Sequence, residues 1–128
     1  MAGISTYLAE ALLDHLIGGA AYTQPAALYL ALYTTNPTAA DAGTEVSGTG
    51  YARQAITFEA ADAAATENDA AVVFPAAEAD WGTVTHWGIR DADSAGNLLL
   101  FGAVTTSKAV TTGDVAKVNL GDLDLSLA

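Results

Sequence analysis

Apolar and polar residues alternate with a period near two along most of the chain, and this spacing predicts strands rather than helices. In residues 27–33, ALYLALY, Leu28, Leu30 and Leu32 take one face while Tyr29 and Tyr33 take the other, so both faces need cover. Residues 51–58 alternate again, with Ile56 and Phe58 expected on the core side. A short strand over 71–74 is stopped by Pro75, which lacks an amide proton. Residues 83–90 (TVTHWGIR) and 98–104 (LLLFGAV) read as two strands joined by a polar turn at 91–97. Gly102 inside the second marks a bulge or a close approach. The chain is expected to turn at 105–108 and at Gly113-Asp114, to run as a strand over 115–120, and to turn again at Gly121-Asp122. Leu123, Leu125 and Leu127 close the sequence with clean alternation.

One segment has a helical period. Ser5 suits an N-cap and Gly18-Gly19 a stop, which predicts an amphipathic helix over 5–17. Leu8, Ala11, Leu12, His15 and Leu16 share a stripe that Leu13 and Ile17 widen. About three turns are marginal in isolation, so this helix has to pack on something. Residues 59–68 are rich in alanine and leave a short helix and an irregular crossing both open. Residues 34–50 form a long polar loop carrying Asn36-Pro37, Asp41, Gly43, Gly48 and Gly50. A loop of that length usually has a job, and this one is the expected contact surface.

These elements predict one domain over residues 1–128, mainly β. The expected form is an antiparallel, jelly-roll-like β-sandwich of about six to eight strands with a single N-terminal helix. Helical segments between strands are missing, which excludes βαβ units. Phe58, Phe74, Trp81, Trp87 and Phe101 are the aromatics available to fill the space between two sheets.

Composition narrows the function. A hydrophobic fraction of 52% and a charged fraction of 15% describe a globular chain. Alanine, at 29 residues, would overstate helix if propensity decided, so periodicity takes precedence. No cysteine is present, which excludes disulfides, thiolate metal sites and a cysteine nucleophile. The net charge is -11, and Arg53, Arg90, Lys108 and Lys117 are scattered; neither nucleic acid nor an anionic membrane is an expected partner. No run of 18 apolar residues could span a bilayer, and residues 1–19 make a poor signal peptide.

Candidate chemistry is sparse. Asp91, Asp93 and Gly96 match the start of a calcium loop, but Ala95 offers no side-chain oxygen and Gly102 stands where a bidentate glutamate belongs. A hairpin turn built by Asp91 and Asn97 explains the same residues. His86 and His15 lie far apart in sequence, with no metal-ligand spacing; His86 reads as a half-buried imidazole beside Trp87, partnered by a carboxylate or a carbonyl. Asp80 and Asp91 are the candidate carboxylate neighbours of His86. Ser5, Ser47, Ser94, Ser107 and Ser126 lack a nucleophile elbow. Glu45, Glu59, Glu67 and Glu78 supply carboxylates as any acidic protein would. The glycine-rich stretch 48–53 leads into a strand and lacks a phosphate-cradling lysine. Tyr22, Tyr29, Tyr33, Tyr51 and Trp81 could build a sugar platform, and equally a core or an oligomer contact. No catalytic, cofactor-binding or metal-binding residue is therefore expected, no cofactor is expected, and the protein is not expected to be an enzyme.

The order of segments adds a resemblance. ISTYLAEALLDHLIGG, ALYLALYTTNPT, GTGYARQAITF, AVVFPAAEADWGTVTHWGIRDADSAGNLLLFGAV and KAVTTGDVAKVNLGDLDLSL follow one another. This series resembles a family of small structural proteins of tailed-bacteriophage virions, often labelled tail fibre or minor structural protein. The resemblance covers nearly the whole chain, and WGTVTHWGIRDADSAGNLL is its most specific part. It implies a virion location and a non-enzymatic subunit that binds other virion proteins, as a head-decorating cement or a tail-associated component. It further implies a symmetric homo-oligomer, with a trimer favoured. The alternative is a receptor- or glycan-binding tail fibre or tip module.

Overall fold

The computed structural model describes residues 3–126, so the expectation for Leu127 lies outside the described residues. Its main layer is a five-stranded antiparallel sheet. The strands are β1 (Gly3–Ile4), β2 (Leu28–Tyr33), β3 (Gln54–Ile56), β6 (Gly82–Arg90) and β7 (Leu98–Val110), in the spatial order β1-β7-β6-β2-β3. Two antiparallel ribbons complete the β structure. One pairs β4 (Ala65–Glu67) with β9 (Asp124–Ser126), and the other pairs β5 (Val72–Val73) with β8 (Lys117–Val118). The chain is mainly β and antiparallel, but its layers are unequal: two ribbons stand where a jelly roll would place a second matched sheet.

The period-two pattern fixes which face is which. In β2 the pairs Leu30↔Ile89 and Leu32↔Trp87 put the leucines on the same face as Ile89 and Trp87 of β6. That face shares a core with Phe74, Trp81 and Val110, and with Val72, Leu123 and Leu125 from the ribbons. Each fully buried aliphatic side chain here contributes about 1.5–3 kcal/mol of transfer free energy. Val72 of β5, Leu125 of β9 and the adjacent Leu123 therefore help hold the short ribbons to the sheet. Ile56 is buried and Phe58 packs half-buried against the core, as their alternation predicts. Phe101 departs from expectation. It pairs with Gly3 of β1, where a Cβ on Gly3 would lie 2.5 Å from its ring. It belongs to the sheet edge, not to the shared core.

Several boundaries move for physical reasons. The predicted turn at 105–108 is absent: β7 continues through 13 residues, and the register breaks opposite Val84 and His86 instead. A bulge of this kind lets polar Thr105, Thr106 and Ser107 leave the ladder without ending the strand. Residues 59–68 take the irregular crossing, with only β4 regular inside it. The predicted strand over 115–120 shrinks to two residues.

The N-terminal helix α1 spans Thr6–Leu16, and the Ser5 Oγ accepts from the Leu8 amide at 3.1 Å, as an N-cap does. Gly18 follows with φ 84 in the left-handed region and ends it. The packing stripe is narrower than expected. Leu8 is buried and Ala11 and Leu12 are half-buried, but His15 is exposed, and Leu16 and Ile17 are each 78% exposed. The helix contacts the sheet near β7 with its first half, and its second half extends past that support.

Candidate functional site

The second face of the sheet is covered by loops, and two arginines hold them there. Arg90, the last residue of β6, projects beneath loop 34–50. Its Nη1 donates to Tyr33 Oη and Asp41 Oδ1, both at 2.8 Å, and its Nη2 donates to Asp41 Oδ2 at 2.9 Å and the Gly96 carbonyl at 3.0 Å. Arg53, just before β3, makes the matching contact further along the loop. Its Nε and Nη2 form a fork on Glu45, both at 2.8 Å, and its Nη1 donates to the carbonyls of Ala92 and Ala95 at 2.9 and 2.8 Å. Bidentate pairs of this kind are geometrically specific and among the stronger hydrogen bonds.

Glu45 is the centre of the arrangement. Tyr51 donates its hydroxyl to Glu45 Oε2 at 2.6 Å and accepts from the Leu32 amide at 3.1 Å, which ties the loop to β2. Burial alone would raise the Glu45 pKa, but the bonds from Arg53 and Tyr51 outweigh it and hold the carboxyl below its ordinary range. Burial, and then Glu45 as acceptor, push the Tyr51 phenol well above its ordinary value, so it stays a donor. Burial opposes the charge on Arg90, yet Asp41 and Tyr33 more than compensate and raise its pKa. The Arg53 pKa is raised chiefly by its bond to Glu45.

The 91–97 turn is thus clamped from below. Both carboxylate oxygens of Asp91 accept from Asn97, at 2.7 Å from the amide and 3.1 Å from the side chain. Ala95 and Gly96 both take the left-handed conformation, with φ 52 and 70. The Ala92, Ala95 and Gly96 carbonyls point at guanidinium groups. A calcium loop would turn such oxygens toward an ion; here the protein supplies the positive charge itself. Among the described residues no three His, Asp or Glu side chains converge at metal-ligand spacing.

The remaining candidates are dispersed. His86 is half-buried, and its Nδ1 lies 2.8 Å from the Thr85 hydroxyl, so its partner is neither a carboxylate nor a carbonyl. Asp80 bonds Thr112, at 3.1 Å from its amide, and Asp91 bonds Asn97, so neither carboxylate forms a pair with His86. His15 Nδ1 accepts from the Tyr22 amide at 3.1 Å. Of the five aromatics named for a sugar platform, Tyr33 and Trp81 are buried. Tyr51 stacks on Phe74 at 6.1 Å and meets Trp81 edge-on at 5.5 Å. Those three serve the interior, and Tyr22 and Tyr29 are half-buried.

Two features escaped the sequence reading. Asn68, fully buried, donates to the Ala70 and Asn119 carbonyls at 2.8 and 3.0 Å and accepts from the Leu123 amide at 3.0 Å. It laces the crossing to the turn before β9. The second is an open groove of about 1220 Å³ between β7 and the ribbons, with Trp87, Val104, Lys108, Ala116, Val118 and Leu125 among its lining residues. Gly102 makes its floor: a Cβ there would stand 2.6 Å from the Trp87 ring, so only glycine lets the indole lie against β7. The signal for the groove was Gly102 opposite Trp87, which cross-strand register alone brings together.

No helix among the described residues is long and apolar enough to cross a membrane. No curated protein matches the chain. The family described as Podophage GP4 fiber I protein gp80 matches over residues 3–126, nearly the whole length, and the chain belongs to that family.

Proposed function

We propose that this member of the podophage fibre family, a structural component of the virion, acts without catalysis. In this reading it is a homo-oligomeric subunit that binds other virion proteins as a head-decorating cement or a tail-associated part. The observation that supports this most is how the polar side chains are used. Arg53, Arg90, Asp41, Glu45, Tyr51 and Asn68 bond one another or the backbone, and together they fix loops rather than face a cleft. A loop held by two arginine forks offers a stiff contact surface, and rigidity lowers the ordering cost of association. Loop 34–50 is the surface we assign to neighbouring virion proteins. The sugar-platform alternative is less supported, because Tyr33, Tyr51 and Trp81 point inward.

The test uses phage particles made without this protein. Purified chain added back should bind them saturably, and surface substitutions in loop 34–50, such as Thr38→Glu with Ala40→Glu, should weaken binding at least tenfold. Failure to bind such particles would overturn the proposal.

A further inference from the structure

Among the described residues, Thr38, Asp41, Ala63, Ala64 and Ala95 take the left-handed conformation without being glycine, with φ between 51 and 64. A Cβ makes that conformation costly, and a branched side chain makes it more so. Four of these residues have an offsetting bond inside the molecule. The Asp41 carboxylate is held by Arg90, and the Ala95 carbonyl by Arg53. Ala63 and Ala64 are the central pair of a two-residue turn, closed by reciprocal bonds between Asp62 and Ala65 at 2.9 Å. Tight turns of that kind require positive φ at both central positions.

Thr38 is different. It is branched at Cβ and exposed in loop 34–50, and among the described residues its hydroxyl makes no hydrogen bond. Only its main chain is bonded: the amide donates to Asn36 Oδ1 at 2.9 Å, and the carbonyl accepts from the Asp41 amide at 3.2 Å. Glycine would make both bonds equally well. Nor can the backbone relax, because the base of the turn is locked. Pro37 is fully buried, its carbonyl accepts from the Ala42 amide at 2.6 Å, and a Cβ on Gly43 would stand 2.6 Å from the Pro37 Cα. The fold thus carries a strained threonine whose side chain it does not use.

Charge indicates what that side chain meets. The net charge of the chain is -11, yet Asp41 and Glu45 are the ionisable residues of loop 34–50, and both are paired with arginines. The loop therefore adds almost no net charge to the surface it presents. Its neighbouring polar groups are also occupied: the Thr35 hydroxyl accepts from the Thr44 amide at 2.7 Å, and Asn36 Oδ1 accepts from Thr38. The Thr38 hydroxyl and methyl remain available on a stiff turn. A basic patch gains little from such a surface, whereas an uncharged protein surface that bonds the hydroxyl and packs on the methyl fits it.

We infer that Thr38 is a specificity-determining residue of the contact made by loop 34–50, held ready in a strained conformation and recognised by an uncharged surface of a neighbouring virion protein. The inference rests on the proposed binding of other virion proteins, and gives that binding a residue and a partner chemistry. It also separates stability from binding: relieving the strain strengthens the free chain and weakens the contact.

The experiment compares thermal unfolding with binding of the full chain to phage particles made without this protein. Thr38→Gly should unfold roughly 3–5 °C above wild type and bind at least tenfold more weakly. Thr38→Asn suits the left-handed region while keeping a side chain on the turn, and should be at least as stable as wild type and bind at least tenfold more weakly. Wild-type affinity should change less than threefold between about 0.05 and 0.5 M salt. A Thr38→Gly chain less stable than wild type would show that the side chain serves the fold, which overturns the inference. Wild-type binding by both variants would leave the loop contact standing and remove Thr38 as its determinant. Wild-type binding by Thr38→Asn alone would reduce the role of Thr38 to stiffness, again overturning it, and a larger salt effect would rule out the uncharged partner surface. If wild type does not bind the particles, the proposed binding and this inference fail together.

Discussion

Replacing Arg90 by methionine removes one of the two arginines that fasten the loops. The guanidinium makes four hydrogen bonds, one to Tyr33, two to Asp41 and one to the Gly96 carbonyl. Its side chain is 9% exposed and that of Asp41 is 36% exposed. The abandoned Asp41 carboxylate can therefore rehydrate, while the buried Tyr33 hydroxyl loses its partner. Breaking a buried ion pair costs about 3–5 kcal/mol when the orphan stays buried. The exposure of Asp41 lowers the expected cost to about 2–4 kcal/mol. A domain of this size has roughly 5–15 kcal/mol in total, so thermal unfolding should shift down on the order of 10 °C. Thermal and urea unfolding followed by circular dichroism at neutral pH measure this directly. Hydrogen exchange should show faster opening of loop 34–50 and turn 91–97 than of β6. Arg90→Lys keeps the charge but not the planar fork, and should recover less than half of the loss. A cost below about 0.5 kcal/mol, the range of an ordinary surface substitution, would refute the claim that this arginine fastens the loop.

Three further outcomes follow from the same bonds. Asn68→Ala should destabilise by about 2–4 kcal/mol, because the Leu123 amide and the Asn119 carbonyl lose their partner in the interior; urea midpoints decide it, and a neutral result removes Asn68 as a tie between crossing and ribbon. Gly102→Ala should cost about 1–3 kcal/mol and shift tryptophan emission to the red as the Trp87 indole is pushed from β7; unchanged emission and stability would mean the ring has room after all. Glu45 has a depressed pKa in the fold, so its contribution is complete above the ordinary glutamate range and is lost as pH falls through the lower folded value. Glu45→Gln should accordingly flatten the acid side of the stability-pH curve, and an equally steep curve in the variant would contradict the assignment.

Much of the fold was legible because burial imposes a period. Leu28, Leu30 and Leu32 against Tyr29 and Tyr33 predicted β2 with both faces covered, and the register with β6 agrees. Ser5 and Gly18 located both ends of α1, since caps are local chemistry. What α1 packs on was not legible: an amphipathic stripe states that cover is needed, and says nothing of whether the same chain supplies it. The arginine staples were hidden for a related reason. Arg53 and Arg90 were visible as half of the basic residues, but Glu45 lies 8 residues from Arg53, and Asp41 lies 49 from Arg90. No local spacing connects such pairs; the connection exists only once β2, β3 and β6 are side by side. The turn at 105–108 was misread because polar threonines in a strand look like an exit when the neighbouring strand carries an irregularity.

A stiff, contact-making body built into the phage particle should be visible in a density map of the intact virion. The expected map shows the five-stranded sheet with its two ribbons in repeated copies on the particle, with loop 34–50 against a neighbouring virion protein. Particles whose complete map holds no copy of this body would contradict it.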